Sequence, residues 1–167
     1  MPPVVKWLAI AGSVWACDQA SKQVVINSLN YLDEVVVFPI FSWVRWHNEG
    51  AAFSFLADAG GWQHWFFVVL ATGFSIYLLV ELYRLEAKDK HLGLFYALIL
   101  GGALGNLTDR LNHGYVVDFL FFHWEEHGFP SFNIADASLF CGAALWILMM
   151  LVEYRRSRTI NGDRIDG

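Results

Sequence analysis

The chain has 167 residues, 56% of them hydrophobic, 17% aromatic and only 16% charged. That is too apolar for an ordinary soluble domain. The net charge of −5 says little by itself, because in a membrane protein the placement of Lys and Arg matters more than their sum; no nucleic-acid partner is expected.

A helix needs about 20 largely apolar residues to cross a bilayer, and four stretches qualify: 4–26, 62–83, 92–111 and 134–152. They predict an α-helical integral membrane protein with four transmembrane helices, a single membrane domain over residues 1–167, and no room for a separate soluble enzyme. The first stretch reads as an uncleaved helix. Lys6, near its start, is its single positive charge ahead of the apolar core, bulky Trp15 sits where a cleavage box wants a small residue, and apolar character resumes at residues 24–26. Its Asp18 and Lys22 are spaced i, i+4, on one face and able to pair. Cys17 here and Cys141 in the fourth span have no CxxC partner, so they read as free, buried small hydrophobes.

Next comes a β unit over residues 33–58. Val35-Val36-Val37-Phe38 and Ile40-Phe41-Ser42-Trp43-Val44-Arg45-Trp46 are β-branched and aromatic around Pro39, which predicts one or two short strands. Asn48-Glu49-Gly50 follows as a turn, and Gly60-Gly61 breaks the chain before the second span. Trp43, Trp46, Trp62 and Trp65 suit the headgroup level, so the unit is expected to rest on the membrane surface. Arg84, Lys88 and Lys90 crowd the loop after the second span, and Arg155, Arg156, Arg158 and Arg164 follow the fourth. The other two loops are poor in base. Both termini, including a basic tail at 153–167 expected to be disordered, are therefore placed in the cytoplasm. Segments 27–61 and 112–133 then lie on the far side.

With spans alternating in direction, the uncommon polar residues gather at that far side. Asp18 and Lys22 fall in the outer half of the first helix, about 20 and 27 Å from Val4. The third helix ends in Gly105-Asn106-Leu107-Thr108-Asp109-Arg110, with Asn106 and Arg110 on one face. The fourth begins at Asn133-Ile134-Ala135-Asp136, and Asn48 and Asp118 belong to the outer segments. Each residue alone has an ordinary explanation: a packing ion pair, a snorkelling arginine, a helix cap. Asp118 resists one, because Val116-Val117 and Phe119-Leu120-Phe121-Phe122 around it give no local reason for a charge. That apolar run is expected to tuck against the bilayer or the bundle. A charge at membrane depth costs roughly 2.5–3.5 kcal/mol and usually marks function. His123-Trp124-Glu125-Glu126-His127 lacks the zinc-helix order, the glycosylation-like Asn106-Leu107-Thr108 lies inside a span, and no metal or cofactor is expected. Residues 123–128 receive no role.

No Ser–Lys or Ser–His arrangement converges here, so a carboxylate pair is the remaining acid–base device. If Asp118 and Asp136 meet, they cannot both ionise easily and share a proton. One activates water while the other protonates the carbonyl oxygen or the leaving amine, which suits peptide hydrolysis at the membrane surface; the sequence leaves open which is which. A proton- or ion-coupled transporter would use the same aspartates, but it predicts polar residues through the membrane depth, where the inner halves are nearly clean. A scaffold protein predicts that both aspartates tolerate replacement.

Five ordered motifs give the chain a family resemblance over roughly residues 4–153: Asp18-Gln19-Ala20-Ser21-Lys22, His47-Asn48-Glu49-Gly50-Ala51-Ala52-Phe53-Ser54, Gly105 to Arg110, Val116-Val117-Asp118-Phe119, and Phe132-Asn133-Ile134-Ala135-Asp136. Together they resemble lipoprotein signal peptidase (signal peptidase II). The resemblance implies a bacterial inner-membrane aspartic endopeptidase of four helices with an extracytoplasmic β-cradle, its active site facing the periplasm. It implies cleavage of diacylglyceryl prolipoproteins on the amino side of the lipidated cysteine, in contact with membrane lipid, and inhibition by globomycin-type cyclic peptides. By position it implies Asp118 and Asp136 as the catalytic pair, Asn48, Asn106, Arg110 and Asn133 as substrate-positioning or supporting residues, and a supporting role for Asp18 and Lys22.

Overall fold

A computed structural model describes residues 3–50, 61–86, 89–125 and 127–162. In chain order these form α1 (Pro3–Ser28), β1 (Glu34–Phe38), β2 (Phe41–Asn48), α2 (Trp62–Arg84), α3 (Lys90–His113), β3 (Val116–Trp124), β4 (His127–Gly128) and α4 (Ile134–Gly162). Of these helices α2, α3 and α4 are long and apolar enough to cross a membrane. At 26 residues α1 is as long as they are, but Asp18, Gln19, Lys22 and Gln23 dilute its second half. The fold accommodates the two charges by turning them inward: Asp18 is 0% and Lys22 2% exposed. The outer faces of α2 and α4 carry Trp65, Val69, Phe140 and Leu148 in the open, as lipid contact requires and water disfavours.

Two expectations are corrected. Cys17 and Cys141 are free but exposed on the outside of the bundle rather than buried. An apolar exterior makes the same demand on a small thiol side chain as an apolar core, so hydrophobicity alone does not tell the two apart. Helix α4 continues to Gly162, through much of the segment expected to be disordered. No Gly or Pro interrupts residues 153–161, and Glu and Arg are good helix formers.

Helix α3 is the hub, packed against α1, α2 and α4. Its small residues permit close approach. A Cβ on Gly102 would lie 2.5 Å from the Ala135 carbonyl oxygen and 2.9 Å from Leu139 Cγ. Gly102→Ala is therefore expected to push α3 and α4 apart and to destabilise the protein by about 1–3 kcal/mol, read as a lower unfolding midpoint in detergent. The bundle is chemically divided along its length. One end holds an apolar cluster of Trp7, Ala11, Leu78, Leu82, Tyr96, Ala97, Ile99 and Leu100. The other buries Asp18, Lys22, Asn106, Asp109, Arg110, Asp118 and Asn133.

The sheet sits at that polar end, in the order β1-β2-β3-β4. The predicted strands of residues 33–58 are β1 and β2, while residues 51–58, with Ala51-Ala52-Phe53-Ser54, lie outside the described residues. The run around Asp118, expected to tuck against the bundle, does so as β3 of the same sheet. Val116, Val117, Asp118 and Phe119 are all buried, and β3 pairs with β2 in the register Trp46↔Asp118 and Asn48↔Val116. On its other edge Leu120 bridges Phe132. The chain turns from α3 into β3 at Gly114, whose φ of 85° suits glycine and whose N–H donates to Arg110 O at 3.0 Å. His123 and His127 fall on β3 and β4 of a hairpin, not on one helix face, and His123 Nε2 shares a 2.9 Å hydrogen bond with Ser42 Oγ.

Candidate active site

Helix α4 starts with a reciprocal cap. Asn133 Oδ1 accepts from the Asp136 N–H at 2.9 Å, and Asp136 Oδ2 accepts from the Asn133 N–H at 3.2 Å. This is the capping-box arrangement, built here from Asn and Asp. It fixes the Asp136 side chain at the mouth of the helix. The remaining amide of Asn133 points the other way, with Nδ2 donating to Asp118 Oδ1 at 2.9 Å and lying 3.3 Å from both Val117 O and Asn106 Oδ1. One fully buried asparagine thus ties the two aspartates together.

The second oxygen of each carboxylate has its own donor. Asn48 Nδ2, at the end of β2, donates to Asp118 Oδ2 at 3.1 Å, and Asn106 Nδ2, on α3, donates to Asp136 Oδ1 at 2.7 Å. Each carboxylate oxygen has two lone pairs, so one acceptor position per oxygen stays available for a water or a shared proton. Gly50 N–H donates to Asn48 Oδ1 at 3.0 Å, an Asx turn that holds the Asn48 side chain. The ring of the preceding His47 is stacked between Tyr31 and Tyr115, at centroid distances of 4.2 and 3.7 Å. Burial, then the charges of Arg45 and His113, lower its pKa and favour the neutral ring.

Asp118 is 2% exposed. Burial, followed by the neighbouring charge of Asp136, pushes its pKa up to about 8, against the opposing pull of Asn48, Lys22 and Asn133. The shift favours the protonated carboxyl, which stays hydrogen-bonded to two amides.

Arg110 does not reach either carboxylate. Its Nη2 donates to Gly50 O at 2.6 Å and its Nη1 to Asn106 O at 3.4 Å, while the guanidinium lies 5.0 Å from the Phe67 ring centroid. It braces the turn that carries Asn48. Asp18 and Lys22 lie behind the pair and form the expected ion pair at 2.8 Å. Lys22 Nζ also reaches Asn106 Oδ1 at 3.2 Å. The structure thus joins all eight sequence-predicted residues in one connected region, Arg110 through Asn106 and Gly50.

Sequence reasoning assigned no role to Asp109 and Gln19. Asp109 takes Lys22 at 2.9 Å and the Val117 N–H at 3.0 Å on one oxygen, with Gln19 Nε2 at 2.9 Å on the other. The available signal was the single acid of the third span, next to Arg110 in sequence; its partners Lys22 and Gln19 lie 87 and 90 positions away, on α1. Among the described residues no cluster of three or more His, Cys, Asp or Glu side chains is placed to hold a metal.

Comparison with known proteins bears on this geometry. Residues 10–152 match the family described as signal peptidase (SPase) II. A lipoprotein signal peptidase of Shewanella halifaxensis (strain HAW-EB4) is 46% identical over 158 residues, covering 95% of this chain and 93% of that protein. One from Shewanella piezotolerans (strain WP3 / JCM 13877) is 51% identical over 149 residues, covering 89% and 88%. A bacterial membrane enzyme solved by the in meso method at 2.3 Å resolution superposes with a TM-score of 0.79 at 29% identity, covering 89% of each chain. Another, at 1.9 Å, gives a TM-score of 0.75 at 30% identity, covering 87% of this chain and 92% of the other.

Proposed function

The chain belongs to the signal peptidase II family, and from that premise we propose that Asp118 and Asp136 are the carboxylate pair with which it cuts its substrate. The family's activity makes it a membrane-embedded lipoprotein signal peptidase, an aspartic peptidase that removes signal peptides from prolipoproteins. The observation that carries the proposal is the Asn133 bridge, which holds both carboxylates at one end of the bundle with a donor on every oxygen.

The chemistry follows from that arrangement. The pair carries one proton between its two carboxyl groups. A water between them gives a proton to the ionised carboxylate as its oxygen attacks the scissile carbonyl, and the protonated partner donates to the carbonyl oxygen. The resulting gem-diol collapses as the nitrogen takes the proton that the pair gained from water and one hydroxyl of the intermediate returns its proton to the other carboxylate. This breaks the C–N bond, forms the product carboxyl and restores the starting state. Asn48, Asn106 and Asn133 restrain the carboxylates, so little reorganisation is left for the reaction itself. Arg110 supports them through Gly50 O, in the turn that carries Asn48.

The finer reading is a substrate bearing a diacylglyceryl cysteine, cut on its amino side, with the acyl chains left in the bilayer while the sheet holds the extended peptide. In this reading α1 is the fourth span and the whole chain is one membrane domain of the bacterial inner membrane. Arg84, Lys90, Arg155, Arg156 and Arg158 share the cytoplasmic end with both termini, and the sheet faces the periplasm. Globomycin-type cyclic peptides are expected to compete for the site. Purified protein should cut a lipidated prolipoprotein and act at least about 10²-fold more slowly on the same chain without lipid, since remote binding energy is lost with it. Proton flux in proteoliposomes without any cleavage would instead establish the transporter reading.

The pH dependence has a definite sign. The Asp118 pKa is higher in the folded protein than in the unfolded chain, so its contribution to stability is present in full below about 4 and is lost as pH rises through about 8. Activity should fall over the same alkaline range, because the pair loses its shared proton. A pH series of kcat/KM is expected to show a descending limb centred near pH 8. A flat profile to pH 10 would contradict the assignment.

A further inference from the structure

Behind the aspartate pair lies a buried cluster with an uncommon symmetry. Lys22 Nζ stands between Asp18 Oδ2 at 2.8 Å and Asp109 Oδ2 at 2.9 Å. Each of these acids also accepts a backbone N–H: Asp18 Oδ1 that of Ala135 at 2.8 Å, and Asp109 Oδ2 that of Val117 at 3.0 Å. Ala135 immediately precedes Asp136, and Val117 immediately precedes Asp118. All three charged residues are nearly inaccessible, at 0% for Asp18, 2% for Lys22 and 3% for Asp109.

A helix-packing ion pair needs neither of those backbone contacts. The Ala135 N–H lies in the first turn of α4, where it has no partner within the helix. The Val117 N–H lies on β3, facing away from any strand partner for that bond. Each is a free donor, and each is taken by one arm of the same cluster. Gln19 Nε2 joins the arms, reaching Asp18 Oδ2 at 3.2 Å and Asp109 Oδ1 at 2.9 Å.

We infer that Lys22, Asp18 and Asp109 form a clamp that fixes the spacing of the two catalytic aspartates by gripping the backbone one residue before each, with Asp109 the positioning residue for Asp118. The inference rests on Asp118 and Asp136 being the catalytic pair. In this arrangement Lys22 sets the distance between the arms and the acids pass it to the strand and the helix. Nothing in the clamp touches substrate, so its effect falls on turnover rather than on binding.

Two variants of Asp109 separate this role from a purely structural ion pair. Asp109→Asn keeps the side-chain length and an oxygen for Val117 and Lys22 but removes the charge; its new NH₂ faces Gln19 Nε2, which loses that acceptor and keeps Asp18 Oδ2 and Gly105 O. Asp109→Glu keeps the charge for Lys22 but lengthens the arm by one methylene and displaces its oxygen from the Val117 N–H. A misplacement on the order of 1 Å at the reacting groups lowers rate by about 10²-fold. The full-length purified enzyme, assayed on a lipidated prolipoprotein peptide in detergent, is expected to lose about 10²-fold in kcat with KM within about threefold for Asp109→Glu, and less than about tenfold in kcat for Asp109→Asn. The reverse order, with Glu active and Asn impaired, assigns Asp109 to charge balance and overturns the clamp, as does full activity in both. If neither variant folds, Asp109 acts as a structural charge and the clamp is likewise overturned. Asp118→Asn and Asp136→Asn are assayed alongside. Turnover by either defeats the catalytic pair itself, whereas inactive pair variants with the wrong Asp109 order defeat only the clamp.

Discussion

Asp118→Asn and Asp136→Asn are each expected to abolish cleavage of a lipidated prolipoprotein, with a loss of at least about 10²–10⁴-fold in kcat and the fold retained. Asparagine preserves the size of each side chain and an oxygen for the neighbouring amide donors. What it removes is the exchangeable proton: an amide neither takes a proton from water nor gives one to a carbonyl oxygen. The double variant is expected to be no worse than either single one, because the two carboxylates act as a unit and their losses do not add. Thermal unfolding of the Asp118→Asn protein in detergent should be less sensitive to pH between 5 and 9 than that of the parent, since the group that loses its proton in that range is gone. Residual turnover near the parental rate in either single variant would remove that aspartate from the mechanism.

Lys22→Met is the second large effect, and its first readout is stability. The substitution keeps much of the volume of the side chain but leaves Asp18 and Asp109 buried at 0% and 3% exposure with no cation between them. Breaking a buried ion pair by removing one partner typically costs 3–5 kcal/mol, far more than the pair itself contributes. A loss on the order of 3–5 kcal/mol is expected in denaturant or thermal unfolding of the detergent-solubilised protein. Replacing Lys22, Asp18 and Asp109 together by Met, Asn and Asn should recover most of it, because no uncompensated charge then remains. A Lys22→Met protein as stable as the parent would show that the cluster carries no net buried charge.

Much of the site was readable before any fold was known. Asp118 stood out because apolar flanks gave no reason for its charge, and Asp136 and Asn133 because they open a span. Asn106 and Arg110 share a helix face by simple spacing. Asp109 was passed over, although it sits between them in the sequence. Its partners are Gln19 and Lys22 on α1 and the backbone of Val117, and no periodicity reports a contact across 87 positions. The strand around Asp118 was half legible: its burial followed from composition, but its pairing with β2 did not.

The sequence by itself determined the membrane character of the chain, the positions of its long helices and the gathering of its polar residues at one end. These depend on hydropathy, on the rise of a helix and on alternation of direction, all of which are local or countable along the chain. Only the tertiary structure decided that Asn133 bridges the two aspartates, that the β2–β3 register brings Asn48 to Asp118, and that one lysine joins two backbone grips. Such contacts are hydrogen bonds between distant segments, and their geometry exists only once helices and strands have packed.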